Sequence, residues 1–285
     1  MRIYLAFILL DRGCDQLSIP DSRRPSLPSI RQPIHYLYAL SLTASGWAWE
    51  FLRRNPGYRI AWSLELQAAR RARARPPGVR AREPVDRAAP WGLRYLEPPS
   101  RPGSIVVPFW RADAIPAPAR AGALGGTATP DEFLDLFAEP GNKAVCLTPE
   151  GAYAVLEIGR TTARVLFTDP SDLRDRMPIE IRMGNAAERE AGLRYLVRSD
   201  PAAASRFAPA NPRPLMQQLQ ALDGRLAGAS LRQIAEAVYG SEPVAGDWNR
   251  PDGVLERRTR YLVERGTMLM NGGYRRLLKP LGTQA

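Results

Sequence analysis

Histidine and cysteine are almost absent from this chain, and their scarcity restricts the chemistry open to it. His35 is the only histidine among 285 residues, so neither a histidine-based catalytic triad nor a histidine-rich metal site can form within one chain. The two cysteines, Cys14 and Cys146, are too few and too far apart for a disulfide framework or a zinc site. We therefore expect no metal, no cofactor and no enzymatic activity.

Carboxylates are the remaining candidates for chemistry. Asp131, Glu132 and Asp135 are predicted to share one helix. They follow Thr129 and Pro130, a pair typical of a helix N-cap and first turn, where acidic side chains favour the positive end of the helix dipole. A helix start therefore explains the three acidic residues better than catalysis does.

The chain also lacks a membrane-spanning run and a glycine-rich phosphate loop. Residues 1–10 are apolar, but they fall short of the ~20 residues that cross a bilayer. Gly122 and Gly125 have neither the spacing nor the lysine of a phosphate loop. The first part of the chain is rich in serine, proline and arginine without periodicity, and we expect residues 1–42 to be a disordered extension.

Arginine, by contrast, is abundant. The formal net charge is +11 and the sequence pI is about 10.2, which favours a polyanionic partner such as DNA or RNA. Of the 40 basic residues only Lys143 and Lys279 are lysine. The codon usage of a GC-rich genome explains much of this bias, although arginine is also the better bidentate reader of guanine.

Two short helices with clear boundaries are predicted near the C-terminus. In the first, Leu215, Leu219 and Leu222 share one face, and Gly224 is expected to end the helix. Ser230 is a good N-cap for the second, in which apolar residues recur at i, i+3, i+4 and i+7 as far as Gly240.

A polar connection over residues 241–252 leads to a third, arginine-rich helix from Gly253 to about Met270. Three helices in this order predict a DNA-binding helix-turn-helix, although the connection is longer than the turn of the strict motif. Arg258 and Arg265 of this helix point toward its apolar side, where we expect pairing with Asp223 or Glu236, or snorkelling. The apolar side is Val254, Leu255, Tyr261, Leu262, Met268 and Leu269, and the opposite side is Arg257, Arg260, Glu264 and Thr267.

The end of the third helix has two interpretations. Gly266 could stop it, so that residues 267–278 form a wing hairpin around Asn271 and Gly272. Alternatively, the helix continues to Met270 and ends at the following glycines. The seven-residue apolar repeat continues in phase through this stretch, which favours continuation.

The basic residues of this region are the candidate DNA contacts. Arg257 and Arg260 are predicted to face the major groove and contact bases. The predicted phosphate contacts are Ser230, Arg232, Arg275, Arg276 and Lys279.

The rest of the chain predicts a fold of the α+β class, with a small helical unit, an antiparallel β-containing middle and the C-terminal three-helix domain. Trp47, Phe51, Tyr58 and Trp62 suit a helical core broken at Asn55-Pro56, and the arginine-rich residues 70–82 suit a DNA-tracking arm or a solvated helix end equally well. Strands are predicted at 104–110, 143–147, 152–158, 163–167 and 178–183, and a helix at 186–197. The predicted divisions are 1–42 (extension), 43–102 (helical and basic), 103–200 (β-rich), 201–214 (linker) and 215–285 (helix-turn-helix).

Two parts of the chain resemble known bacterial families. Residues 221–230, 247–249 and 271–275 resemble the RovC-type DNA-binding domain, and residues 47–59 and 91–96 resemble the transcriptional-regulator-like domain that often precedes it. The resemblance implies a bacterial transcription regulator that forms oligomers and is often carried on mobile elements.

From these observations we expect a cytoplasmic regulator that binds double-stranded DNA, forms a homo-oligomer, cooperates with RNA polymerase and does not enter a membrane. Two other functions remain open. One is an accessory protein of a mobile element that binds RNA or takes part in DNA transfer. The other is a protein-interaction scaffold that no longer binds nucleic acid.

Overall fold

Helices flank a central β-sheet, which confirms the α+β class. The sheet is formed by the middle of the chain, and the helices come from both ends. The computed structural model describes residues 33–73, 87–111, 114–115, 118–123, 133–135, 142–148, 150–158, 161–169, 176–182, 185–186, 189, 192, 211–248, 250 and 252–278.

The N-terminal region consists of a 3-10 segment, Pro33–Ser41, followed by helices α1 (Ala44–Leu52) and α2 (Pro56–Arg73). The hydroxyl of Thr43 caps α1 by accepting a 3.0 Å hydrogen bond from the Gly46 amide. The predicted break at Asn55-Pro56 is confirmed, because the chain turns there between the two helices.

Residues 33–41 correct the predicted extension of residues 1–42. They form the 3-10 segment, in which Tyr36 and Ala39 are buried. The segment packs on the distant helix Arg213–Leu226, where Tyr36 donates a hydrogen bond to Asp223, and local composition alone did not indicate this contact. Residues 1–32 lie outside the described part of the chain.

The middle region forms one six-stranded sheet in the order β2-β6-β1-β5-β4-β3. β1 runs parallel to β5, whereas the other paired strands are antiparallel, so the predicted antiparallel middle is in fact a mixed sheet. The strands are β1 (Ala119–Ala123), β2 (Phe133–Asp135), β3 (Asn142–Thr148), β4 (Gly151–Ile158), β5 (Thr161–Phe167) and β6 (Arg176–Arg182).

Four of the predicted strands are present as β3 to β6, but residues 104–110 are not a strand. Their amides at 105 and 106 donate to the carbonyl of Pro102 in a turn, and Trp110 makes only an isolated bridge to Leu93. Val106, Val107, Phe109 and Trp110 are buried in the core between the helices and the sheet, whereas Ile105 is exposed. Asp135 also differs from prediction, since it lies in β2 and not in a helix.

The described residues of the C-terminal region, from 211 to 278, form four helices and a final 3-10 segment. Residues 213–214, expected in the linker, already belong to α3, and the predicted connection after Gly240 contains the short helix α5 in place of a plain turn. Of the helix predicted at 186–197, the structure describes only Ala186, Arg189 and Gly192, which are helical. The elements are α3 (Arg213–Leu226), α4 (Leu231–Tyr239), α5 (Ser241–Asp247), α6 (Leu255–Met270) and the 3-10 segment Gly273–Leu278.

Gly224, expected to end a helix, lies inside one, and so does Gly266, the stop of the less favoured interpretation. A Cβ on Gly224 would come within 2.7 Å of Ile234, and one on Gly266 within 2.6 Å of the Gln218 carbonyl oxygen, so both allow close helix crossings. α3 ends instead at Leu226, two residues before Gly228, whose φ of 82° is left-handed and whose amide donates to the Arg225 carbonyl. α6 continues to Met270, which confirms continuation and makes the wing hairpin wrong.

One hydrophobic cluster joins all three regions. It contains Trp47 and Phe51 of α1, Val155 of β4, and Leu222 and Leu269 of the C-terminal helices. The aromatic residues of the first region are therefore core residues, as predicted, except that Trp62 is only half-buried. Because the C-terminal helices share this core, their outer surface is held on a rigid base.

Candidate nucleic-acid interface

Helix α4 begins and ends as its sequence predicts. The Gln233 amide donates to the Ser230 hydroxyl at 3.3 Å, and the Ser230 amide donates to the Gln233 side chain at 2.9 Å. This capping box satisfies two amides at the start of the helix. Gly240, with a φ of 94°, follows the last residue, and Ile234 and Ala235 are buried against α3 and α6.

The start of α6 is held by a carboxylate that the sequence reading did not identify. Asp247 accepts hydrogen bonds from the amides of Val254 (3.2 Å) and Leu255 (2.8 Å). Gly253 permits this close loop, because a Cβ there would lie 2.4 Å from the Asp247 carbonyl oxygen. The positive end of the α6 dipole is therefore already occupied by an acidic side chain of the protein.

The inner face of α6 is formed by Thr259, Leu262, Gly266, Leu269 and Met270, which are buried. Thr259 donates from its hydroxyl to the Leu255 carbonyl at 2.7 Å, so this polar side chain is satisfied within the helix.

Tyr261 corrects the predicted apolar side of α6, because 55% of the residue is exposed. The seven-residue repeat predicted that Tyr261 and Leu262 share the buried face. That face is instead centred on Leu262 and Gly266, and Tyr261 lies outside it. Tyr261 therefore lies on the outer surface, among arginines.

Arg258 and Arg265 are also exposed, and neither forms the predicted pair with Asp223 or Glu236. Asp223 is bonded to Arg54, and Glu236 to Arg232. Arg258 instead lies near the end of α4, where its positive charge partly offsets the burial that raises the pKa of Tyr239.

The predicted base contacts, Arg257 and Arg260, are both exposed on α6, but they differ in their partners. Arg260 forms a 2.7 Å salt bridge with Glu256, one turn earlier. The Arg257 guanidinium makes no hydrogen bond or salt bridge with any residue that the structure describes.

The predicted phosphate contacts differ in the same way. Arg232 pairs with Glu236 at 3.2 Å, and Arg275 donates to the Pro90 carbonyl and lies over the Tyr274 ring. Arg276 is exposed, and its guanidinium has no partner within the described ranges. Ser230 is exposed at the start of α4, and Lys279 lies outside the described residues.

Behind this surface, Arg54 of the first region binds Asp223 of α3 through two hydrogen bonds of 2.6 and 2.8 Å. Tyr36 donates to the same carboxylate at 2.9 Å. Arg54 also bonds Glu50, where burial alone would raise the carboxyl pKa, but the guanidinium groups of Arg54 and Arg53 outweigh it and hold the pKa at about 2. A buried, fully partnered network thus joins the two regions.

Two further contacts fix the far end of α6 on the N-terminal region. The side-chain amide of Asn55 donates to the Met270 carbonyl at 3.1 Å, and the Tyr274 hydroxyl donates to the Trp91 carbonyl at 2.9 Å. Helix carbonyls at a C-terminus lack partners within the helix, so the Asn55 bond satisfies one of them. The sequence contains no local signal for these contacts, since the partners are distant along the chain.

Comparisons with known families agree with this arrangement. Residues 175–279 match the RovC DNA-binding domain model, described as "T6SS, Transcription factor, DNA binding domain". Residues 29–96 match the model described as "Proteobacterial transcriptional regulator-like domain". The two matches confirm the family resemblance in the predicted order and indicate a transcription-regulator DNA-binding protein.

The same matches refine the limits of the resemblance. The DNA-binding match begins at β6, and the regulator-like match begins before the 3-10 segment Pro33–Ser41. A comparison with curated proteins finds no match. Among the helices of the described residues, none combines the length and the apolar character needed to cross a membrane.

Proposed function

We propose that the protein is a bacterial transcription regulator that reads duplex DNA through the outer face of α6. The supporting observation is a helix with a buried inner face and an exposed Arg257 whose guanidinium is unoccupied within the described structure. Such an arginine can form a bidentate contact with guanine, worth ~1–3 kcal/mol of discrimination. Rigid support behind the helix favours a defined geometry.

Arg260 is proposed as a second groove contact, with a condition attached. It would have to exchange Glu256 for DNA, and the two side chains are 58% and 47% exposed. Exposed salt bridges contribute only ~0.2–1 kcal/mol, so the exchange is inexpensive. Glu256 would nevertheless stay close to the DNA and oppose binding.

The phosphate contacts are proposed from exposure and charge. Arg276 is the strongest candidate, because it is exposed and unpartnered among described residues, and Ser230 and Arg232 lie at the open start of α4. Arg275 would have to share its guanidinium with the Pro90 carbonyl. Lys279 is proposed from its sequence position alone.

We further propose that the protein acts in the cytoplasm as a homo-oligomer and cooperates with RNA polymerase at promoters. A dimer would contact half-sites about 34–36 Å apart, one helical turn of DNA, or a multiple of that distance. These proposals extend from the DNA-binding match and the DNA-reading role of α6.

Binding of the full chain to duplex DNA tests the proposal. Arg257→Ala should reduce the preference for a selected duplex over a scrambled one, whereas Arg276→Ala should weaken both alike and flatten the dependence of affinity on salt. Two unchanged variants would contradict these roles. Stronger binding to single-stranded RNA than to duplex DNA would favour the mobile-element accessory instead.

A further inference from the structure

Tyr261 is an exposed aromatic residue with no role in the core. Among the residues that the structure describes, it is the one aromatic side chain that is mostly exposed, at 55%. Tyr36, Tyr58 and Tyr274 are buried and hydrogen-bonded. The next residue, Leu262, is buried, whereas Tyr261 is exposed. Core packing therefore does not explain why a tyrosine occupies this position.

Two neighbouring stripes divide the outer surface of α6. Side chains four residues apart lie above one another on a helix. Arg257, Tyr261 and Arg265 form one stripe, which we call the tyrosine stripe. Glu256, Arg260 and Glu264 form the other, the acidic stripe, and all six residues are exposed.

The two stripes differ in charge, and this difference decides which of them attracts a polyanion. The tyrosine stripe carries two arginines, whose guanidinium groups have no hydrogen bond or salt bridge with described residues. Its own three residues include no acid, and Glu264, three residues after Tyr261, lies at its border. In the acidic stripe, Glu256 neutralises Arg260 at 2.7 Å, and Glu264 adds an exposed negative charge. A polyanion is therefore attracted to the first stripe and opposed by the second.

The neighbouring helix supports the same orientation. Arg258 precedes Tyr261 by three residues and is exposed, and its charge acts on Tyr239 at the end of α4. The tyrosine stripe consequently borders α4. In a helix-turn-helix the first helix crosses the DNA backbone, and base contacts come from the N-terminal residues of the recognition helix. We assign these two places to α4 and α6.

We propose that the tyrosine stripe lies deepest in the major groove, with Arg260 at its edge, and that Tyr261 contacts base edges with its ring. This inference depends on the proposed DNA-reading function and specifies its surface. An aromatic ring can pack on the C5 methyl group of thymine, which distinguishes thymine from cytosine without a hydrogen bond. Arg257 and Arg265 would flank that contact at guanines or phosphates.

Selection from a pool of synthetic duplexes with a randomised centre provides the test. The full-length protein is used to recover a preferred duplex, and its affinity is compared with that for a scrambled duplex. Tyr261→Ala should lower this ratio roughly tenfold, Tyr261→Phe should preserve it because the ring remains, and Arg265→Ala should weaken binding. Arg260→Ala, at the edge of the groove contact, should lower the ratio less than Tyr261→Ala does. Arg225→Ala removes an exposed arginine of α3 outside the proposed contacts; it is the control and should change the ratio little.

Each other outcome has a defined meaning. If Tyr261→Ala leaves the ratio unchanged, or lowers it no more than Arg260→Ala or Arg225→Ala does, the tyrosine stripe does not lie deepest in the groove, although DNA binding stands. If Tyr261→Ala alters only the oligomeric state in sedimentation, the exposed ring serves self-association and the inference is overturned. If the unmodified protein binds no duplex at all, the proposed function itself fails.

Discussion

Arginine has opposite surroundings in the first helical region and in the last helix. Arg54, at the end of α1, is buried, and it is bonded to both Asp223 and Glu50. Arg257, Arg258 and Arg265 of α6 are exposed, and their guanidinium groups bond no acid among the described residues. The same residue type therefore holds two regions together in one place and presents charge to the outside in the other. The comparison predicts which substitutions affect folding and which affect binding.

Arg54→Ala should have the largest effect on stability. It would leave Asp223 and Glu50 buried without their main cation, and breaking a buried ion pair costs about 3–5 kcal/mol. Urea unfolding of the full chain measures the change. Arg257→Ala is the control for removing an arginine, and an equal loss in both variants would invalidate the distinction between the two regions.

Two buried glutamates, Glu157 and Glu50, provide a test based on the pH dependence of stability. Glu157 accepts a hydrogen bond from Thr43, and burial raises the pKa of its carboxyl to about 7. The folded state then holds more protons than the unfolded state between about pH 4.5 and 7, so stability falls as the pH rises through this range. The Glu157→Gln variant should lack this fall. Its free energy of unfolding, relative to that of the unmodified protein, should therefore be higher at pH 8 than at pH 4 by on the order of 3 kcal/mol.

Glu50→Gln should show the reverse dependence. Because the pKa of Glu50 is lowered to about 2, its stabilising contribution is complete above about pH 4.5 and is lost as the pH falls toward 2. The variant should therefore be less stable than the unmodified protein at pH 7 and nearly equal to it at pH 2. Unfolding followed across this pH range tests both glutamates. If the free energies of unfolding of the two variants changed with pH in the same way, the two glutamates would not differ in their surroundings as described.

Gly266→Ala tests the close contact that supports the exposed arginines from behind. The new Cβ would lie 2.6 Å from the Gln218 carbonyl oxygen, and such overpacking costs about 1–3 kcal/mol. Gly246→Ala is the matched control, since a Cβ there meets nothing within 4 Å. Thermal unfolding should separate the two, and equal stability would mean that α3 and α6 can move apart freely.

Two substitutions at Ser230 distinguish its role as a helix cap from its proposed role as a DNA contact. Ser230→Ala should cost about 1 kcal/mol, because the Gln233 amide loses its acceptor. Ser230→Asp should keep the cap and the stability, but its negative charge should weaken duplex binding. Retained affinity in the aspartate variant would exclude Ser230 from the phosphate contacts.

Arg257→Ala should have the smallest effect on stability, within about 0.5 kcal/mol, because exposed substitutions rarely alter folding. Its effect on duplex preference should be much larger. Unfolding and binding measured on the same preparation check both statements, and a variant that unfolds easily would place Arg257 among the structural arginines.

Features determined by neighbouring residues were predictable. The capping box of Ser230, the end of α4 at Gly240 and the break at Asn55-Pro56 all occur as expected. Their causes lie within a few residues, in a side-chain acceptor, a positive φ or a proline. The strands β3 to β6 were predictable from β-branched and aromatic runs for a similar reason.

Features determined by packing were not. Residues 104–110 have the composition of a strand, but the segment is not one and most of its apolar side chains are buried in the core. Gly224 and Gly266 lie within helices at close crossings. The buried face of α6 also differed from its apolar repeat, which left Tyr261 outside. In each case a contact with a distant element outweighed the local preference.

The sequence by itself determined the basic charge, the helices α3, α4 and α6 of the C-terminal region, and the family resemblance. Only the tertiary structure decided which arginines are free, because pairing depends on distance in space and on burial. Asp223 was expected to bind Arg258 or Arg265, yet it binds Arg54, which is 169 residues away along the chain. Folding thereby pairs the buried Arg54 with acidic side chains, and the exposed arginines of α6 remain available to a partner.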